Sequence, residues 1–323
     1  MKKHVNKNQI LGILLFVLFS LMSQRTVMAM WVEYGPVVKP GNMTTSRYVT
    51  WLTGDKSVSK ESAYNVACSQ ASTESPGVVI LGFGRQLPEG VSQFRGRRSP
   101  KSLEEVRETL VSYAEGLSEC SKSLGEWSLV AQTSNDHLDD AALGFQQGSV
   151  WASMVSDISS SMPKSVSLYG GSDIEPSWGS YEAALAWVEG FHSVVSGRLI
   201  LGPSADGCPK TGGDGGCNNG WSAAKMANMV WGVDSSTRLY PQIYHHRGAQ
   251  AMQWANIAAT ALQLGLSPSI EGVMTQVRAC NRPGTSCPQT GINHQTALAQ
   301  MQDAYLEAGL TNPPLYATDI GWG

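Results

Sequence analysis

From Glu61 onward the chain alternates short apolar runs with stretches whose apolar residues recur every three or four positions. The runs are residues 78–83, 127–132, 165–169, 198–201, 226–231, 239–244, 270–276 and 315–320. Runs of this length read as buried strands, and the longer periodic stretches between them as amphipathic helices. One stretch opens with Ser102-Leu103-Glu104-Glu105, a capping box, and continues with Val106, Leu110, Ala114 and Leu117 on one face. Later stripes are Phe145, Trp151, Met154, Val155 and Ile158; Tyr181, Ala184, Leu185, Val188 and Phe191; Ala251, Trp254, Ala255, Ala258 and Leu262; and Leu298, Met301 and Tyr305, closed by Gly309.

Parallel strands need crossover helices, so this alternation predicts a parallel sheet. Eight strand candidates predict an α/β fold of the closed (β/α)8, TIM-like kind. Its irregular place is the fifth and sixth strands, because only residues 232–238 separate 226–231 from 239–244. Residues 30–60 are polar and unpatterned and read as an N-terminal arm, which leaves 61–323 for the barrel domain.

The first 29 residues read as an export signal: Lys2, Lys3 and Lys7, then an apolar stretch from Ile10 to Leu21, then Val27-Met28-Ala29. A secreted protein is therefore expected, with no membrane contact after cleavage, acting as a monomer. The chain has 23 basic and 26 acidic residues. Loss of Lys2, Lys3, Lys7 and Arg25 with the signal leaves a net charge of −7. An acidic chain does not suit phosphate-backbone binding, so no nucleic-acid partner is expected. The basic cluster Arg95, Arg97 and Arg98 reads as a solvated loop.

All six cysteines follow the signal, as a disulfide-bonded exported protein requires. Cys208 with Cys217 and Cys280 with Cys287 would each close a small loop, leaving Cys68 to pair with Cys120. No Cys-x-x-Cys or neighbouring histidine offers zinc spacing, and the adjacent His245 and His246 would point to opposite faces of a strand. No metal is expected. Neither a nucleophile elbow nor a dinucleotide or phosphate loop occurs, and the tract 212–216 lacks the Lys-Ser/Thr of a phosphate loop, so no cofactor is expected.

The chemistry gathers at Gly171-Ser172-Asp173-Ile174-Glu175-Pro176-Ser177-Trp178. Residues two apart on a strand share a face, so Asp173 and Glu175 project together from a strand end. Paired carboxyls beside an indole suit hydrolysis of a glycosidic bond. Other predicted strand ends bring Asn135, Ser204, Asp206, Trp231, Tyr244, Asp319 and Trp322 to the same rim. Glu175 and Asp173 are the leading catalytic candidates, with Asp206 and Asp319 to activate water or orient substrate. Trp178, Trp231, Trp322, Tyr244, Gln242 and Asn135 are the substrate-binding candidates.

The motifs at 77–86, 132–135, 171–178, 204–209, 220–232, 241–244 and 318–322, taken in order, resemble secreted bacterial proteins of unassigned function that look like glycoside-hydrolase (β/α)8 barrels. The Asp-x-Glu is also similar to that of chitinase-like and lysozyme-like barrel hydrolases, which implies the glutamate as the acid. One departure stands out. Similar proteins carry an aspartate in the first strand where this chain has Gly82, which implies weakened or lost activity if that aspartate is catalytic. The expectation is an exported barrel that hydrolyses a poly- or oligosaccharide. The alternative is a non-catalytic carbohydrate-binding or structural protein of the cell wall or matrix.

Overall fold

A computed structural model describes residues 43–49, 60–92, 100–245, 247–280 and 292–322. Its strands in chain order are β1 (Thr44–Tyr48), β2 (Val78–Leu87), β3 (Gly90–Ser92), β4 (Lys101–Ser102), β5 (Trp127–Ser134), β6 (Val166–Asp173), β7 (Leu199–Leu201), β8 (Arg238–Leu239), β9 (Gly272–Thr275) and β10 (Tyr316–Trp322). Eight of them lie side by side and parallel in the order β8-β7-β6-β5-β2-β1-β10-β9. A parallel bridge between Gln242 and Met274 joins the two ends. Beside it, Ile243 N–H donates to Met274 O and Met274 N–H to Pro241 O, each at 2.9 Å. The ring is a nearly closed (β/α)8 barrel, with the hairpin strands β3 and β4 hanging from β2.

The helices are α1 (Lys60–Thr73), α2 (Leu103–Cys120), α3 (Ala141–Ser159), α4 (Tyr181–Val194), α5 (Ala223–Ala227), α6 (Ala249–Gln263), α7 (Val277–Cys280) and α8 (His294–Glu307). Strand alternation divides the core in two. Val78, Ile80, Val130, Ile200, Met274 and Ile320 fill the barrel interior. Val79, Leu81, Leu129 and Leu201 point outward, to the side chains of the helical layer. The capping box forms as expected, with Ser102 Oγ accepting from Glu105 N–H at 3.2 Å and Glu105 Oε2 accepting from Ser102 N–H at 2.8 Å. The predicted stripes are buried except for Tyr181 and Leu185, which are half-buried, and Phe145 and Leu262, which are exposed outside the apolar face of α3 and near the end of α6. Helices α3 and α4 approach so closely that a Cβ on Gly148 would lie 2.0 Å from Trp187 O.

Two expectations are corrected. Residues 226–231 are not a strand: Ser222 caps α5, accepting from Lys225 N–H at 3.2 Å, and the helix runs on into a π-turn over Asn228–Gly232. Met226, Met229 and Val230 follow helical spacing, and this turn of helix is the crossover between β7 and β8. The eighth strand is instead β1, which lies between β2 and β10 and inside the segment read as an arm, so the barrel begins before residue 61. This strand, Thr-Thr-Ser-Arg-Tyr, has no apolar run. The polar groups of its first three residues are buried and paired instead: Thr44 Oγ1 donates to Val78 O, Ser46 Oγ bonds Thr318 Oγ1 and accepts from Ile80 N–H, and Glu74 takes Thr45 N–H.

Cys68–Cys120 and Cys208–Cys217 stand at disulfide distance, with Cα separations of 4.9 and 3.9 Å. The third expected pair involves Cys287, which lies outside the described residues, as do Arg95, Arg97, Arg98 and His246. No helix among the described residues is long and apolar enough to cross a membrane.

Candidate active site

The parity of β6 decides where its carboxyls go. Leu168 packs in the outer core and Tyr169 against the interior, so Gly171 and Asp173 face inward. Ile174 returns to the outer core, and Glu175 again faces the barrel mouth. Asp173 is 1% exposed and held on both oxygens. Tyr48 Oη donates to Oδ2 at 3.0 Å, and Gln242 Nε2 to Oδ1 at 2.5 Å. Gln242 is itself fixed by a bond to Gly202 O at 3.0 Å.

Burial raises the proton affinity of Asp173, the bonds from Tyr48 and Gln242 lower it, and the charge of Asp206 raises it again. The balance lies above the ordinary carboxyl range. Glu175 is pushed up further, by burial first and then by the charges of Asp173, Asp206 and Asp136, against a bond from Gln242. Environments that push two neighbouring carboxyls apart are how acid and base roles are separated. Here Glu175 is the group that keeps its proton.

Asn135 does not face a ligand with its amide. Its Nδ2 donates to Glu175 O at 3.0 Å and its Oδ1 accepts from Glu175 N–H at 2.9 Å, so it fixes the backbone that carries the acid. Tyr244 packs on the interior cluster, where burial and the charges of Asp173, Glu175, Asp319 and Asp206 keep its phenol protonated. Asp206 is half-buried, with Oδ2 accepting from Ser177 Oγ at 3.3 Å. The Cys208–Cys217 loop holds its turn, where Asn218 N–H donates to Asp206 O at 3.0 Å.

Two candidates fall elsewhere. Asp319 lies between Thr318, bonded to Ser46 inside the ring, and Ile320 of the interior cluster, so it points outward. Its Oδ1 accepts from Thr275 Oγ1 at 2.8 Å and Val277 N–H at 2.7 Å, and its Oδ2 from Arg278 N–H at 3.1 Å. It holds the start of α7. Trp231 is 2% exposed in the outer core, its indole N–H donating to Ser269 O at 3.3 Å. The π-turn, not a strand end, carries it there. Trp178 stays half-buried just past Glu175. The backbone of Trp322 pairs with Tyr48 at the end of β10, and its side chain is outside the described set.

Sequence reading missed Tyr48, because a strand without apolar residues gives no periodic signal, passed over Asp136, and placed Ser204 at the rim without a role. Tyr48 also explains Gly82, which lies on the second barrel strand rather than the first. A Cβ on Gly82 would lie 2.7 Å from a Tyr48 ring carbon, so the ring occupies the space a side chain there would need. No protein-family model matches the chain, and no curated protein matches it.

Proposed function

We propose that this protein is an exported glycan-active barrel that hydrolyses a glycosidic bond, with Glu175 as the proton donor. The observation that carries the reading is the pair itself: two inward-facing carboxyls, two residues apart at the C-terminal strand ends, with Glu175 holding its proton more tightly than Asp173. Glu175 would give its proton to the glycosidic oxygen as the bond from that oxygen to the anomeric carbon breaks. The electron pair leaves with the oxygen, and ionised Asp173 faces the positive charge left on the sugar. Water then attacks the anomeric carbon and passes its proton to a carboxylate of the cluster, Glu175 or Asp206. Tyr244 offers a phenol donor to ring substituents, and Trp178 an indole face. Export is supported by the leader-like N-terminus and by two cysteine pairs at disulfide distance.

A non-catalytic carbohydrate-binding role is the second reading. It is favoured by the full engagement of Asp173 by Tyr48 and Gln242 and by the outward turn of Asp319, which leave fewer free carboxyls than a four-carboxyl site would hold. Purified protein incubated with chitin, peptidoglycan, β-glucan and α-glucan fragments separates the two. New reducing ends that disappear in Glu175→Gln support hydrolysis, whereas binding that survives the substitution with no cleavage by either protein supports the binding role.

A further inference from the structure

The carboxyls at the barrel mouth have only neutral partners. Asp173 is bonded by Tyr48 and Gln242 and Asp206 by Ser177, and the amide of Gln242 also lowers the proton affinity of Glu175. Among the described residues no lysine or arginine forms an ion pair with Asp173, Glu175 or Asp206. The charges acting on Glu175 are those of Asp173, Asp206 and Asp136, all of one sign. Asp136 has His137 at 3.7 Å, an imidazole that is 72% exposed.

A second observation points into the same space. Ser204 is 3% exposed, and its Oγ has no hydrogen-bond partner among the described residues. Its place follows from register. Ser204 N–H donates to Ile174 O at 3.1 Å, and Gln242 N–H donates to Pro203 O at 3.0 Å, so Ser204 lies between the strand of Glu175 and that of Gln242. Ile200 belongs to the interior cluster, and a Cβ on Gly202 would meet Gln132 Nε2 at 2.5 Å and the Met274 methyl at 3.0 Å. Alternation therefore turns Ser204 to the same inward face. Buried hydroxyls are normally bonded, so this one points to a group that a ligand brings.

Acceptors of negative charge and an unpaired hydroxyl want a donor-rich cation. A metal ion does not fit, because no group of three or more His, Cys, Asp or Glu side chains among the described residues is arranged to hold one. An ammonium does, since it carries three N–H donors on a single positive centre and tolerates longer contacts. Resting on the glycan reading above, we infer that the mouth selects a glycan of amino sugars whose nitrogens are unacetylated, over neutral glycans and against uronic-acid glycans. Asp206 and Asp136 flank the reacting pair and supply the outer attraction; Ser204 supplies a contact within.

The test is calorimetric titration of the whole exported protein with three probes: a glucosamine hexamer, its fully N-acetylated form and a galacturonic acid hexamer. The glucosamine hexamer should bind about tenfold more tightly than the acetylated one, with affinity falling as salt is raised from roughly 50 to 500 mM. The galacturonic hexamer should not bind. Asp136→Asn and Ser204→Ala should each weaken the glucosamine hexamer more than the acetylated hexamer. Equal or tighter binding of the acetylated hexamer without salt dependence, or any binding of the galacturonic hexamer, overturns the inference while leaving the glycan reading in place. Binding of none of the three also overturns the inference, and the glycan reading is then decided separately by the β-glucan and α-glucan fragments of the panel above.

Discussion

The ring of Tyr48 lies against Gly82, and the hydroxyl at its far end reaches Asp173 Oδ2 at 3.0 Å. A glycine on β2 thus determines how a tyrosine on β1 meets a carboxylate on β6. Gly82→Ala should push the ring away, because a Cβ there would stand 2.7 Å from it. Overpacking of this kind costs about 1–3 kcal/mol. The expected result is a lowered melting temperature together with weakened glycan cleavage or binding. Tyr48→Phe should reproduce the functional loss with a smaller thermal effect, and a Gly82→Ala protein as stable and active as the parent would show that the ring has room to move.

The pH dependence of stability carries a definite sign. In an unfolded chain a glutamate loses its proton at about pH 4.3. In the folded protein Glu175 keeps it to higher pH, because of burial and the carboxylates around it. Between those two values the folded state binds a proton that the unfolded state has lost, so stability falls as pH rises. Below the unfolded value both states are protonated and the penalty vanishes. Glu175→Gln removes the titrating group, so its melting temperature should exceed that of the parent at pH 8 and converge with it near pH 4. Thermal melts of both proteins across that range measure it, and a Gln variant less stable at pH 8 contradicts the raised proton affinity.

Activity should follow a bell. Cleavage declines in alkali as Glu175 loses the proton it donates, and declines in acid as Asp173 takes one up and stops facing positive charge. Asp173→Asn should lower the rate and move the alkaline limb to lower pH, since one of the charges holding the Glu175 proton is gone. A pH–rate profile on a cleaved oligosaccharide reads both limbs.

Asn135 acts on the acid through its backbone, so its loss should separate position from chemistry. Asn135→Ala breaks two hydrogen bonds, of 2.9 and 3.0 Å; the Glu175 C=O keeps its bond from Trp178 N–H at 3.0 Å, but the part-buried Glu175 N–H loses its acceptor, at a cost of about 1–3 kcal/mol. The rate should fall, while Asn135→Asp, which keeps an acceptor for the Glu175 N–H, should recover part of the rate. Comparison of kcat for the two variants, with melting temperature as a control, checks this.

Helix packing gives a prediction independent of function. Gly148 in α3 faces Trp187 O of α4, with only 2.0 Å for a Cβ. Gly148→Ala must spread the two helices and should lower the melting temperature by several degrees, whereas alanine at Gly216, where nothing lies within 4 Å of a Cβ, should not.

What the sequence made legible was whatever relied on apolar periodicity or on the spacing of a few polar residues and cysteines. The barrel class, the Ser102 capping box, the inward pairing of Asp173 with Glu175 and the closeness of Cys208 to Cys217 followed from spacing, and that of Cys68 to Cys120 by elimination. The strand number came out at eight for a reason that was half wrong. A turn of helix at 226–231 was counted because its residues are apolar, and β1 was passed over because its residues are not. Asp319 and Trp231 went astray for related reasons. The parity of a strand is invisible until its neighbours are known, and a helix read as a strand sends its tryptophan to the wrong layer.

The polar first strand has a kinetic consequence. It brings little apolar surface with which to collapse early, and half of what holds it is at the far end of the chain: Ser46 bonds Thr318 and Thr44 O accepts from Thr318 Oγ1, across separations of 272 and 274 residues. Contacts so distant are slow to form, because a long loop must close before they contribute anything. Docking of β1 between β2 and β10 is thus expected as a late event of folding. Tyr48 rides on that strand, so Asp173 gains its phenol partner only when the ring is complete, and the chemistry at the mouth switches on with the closure of the barrel rather than before it.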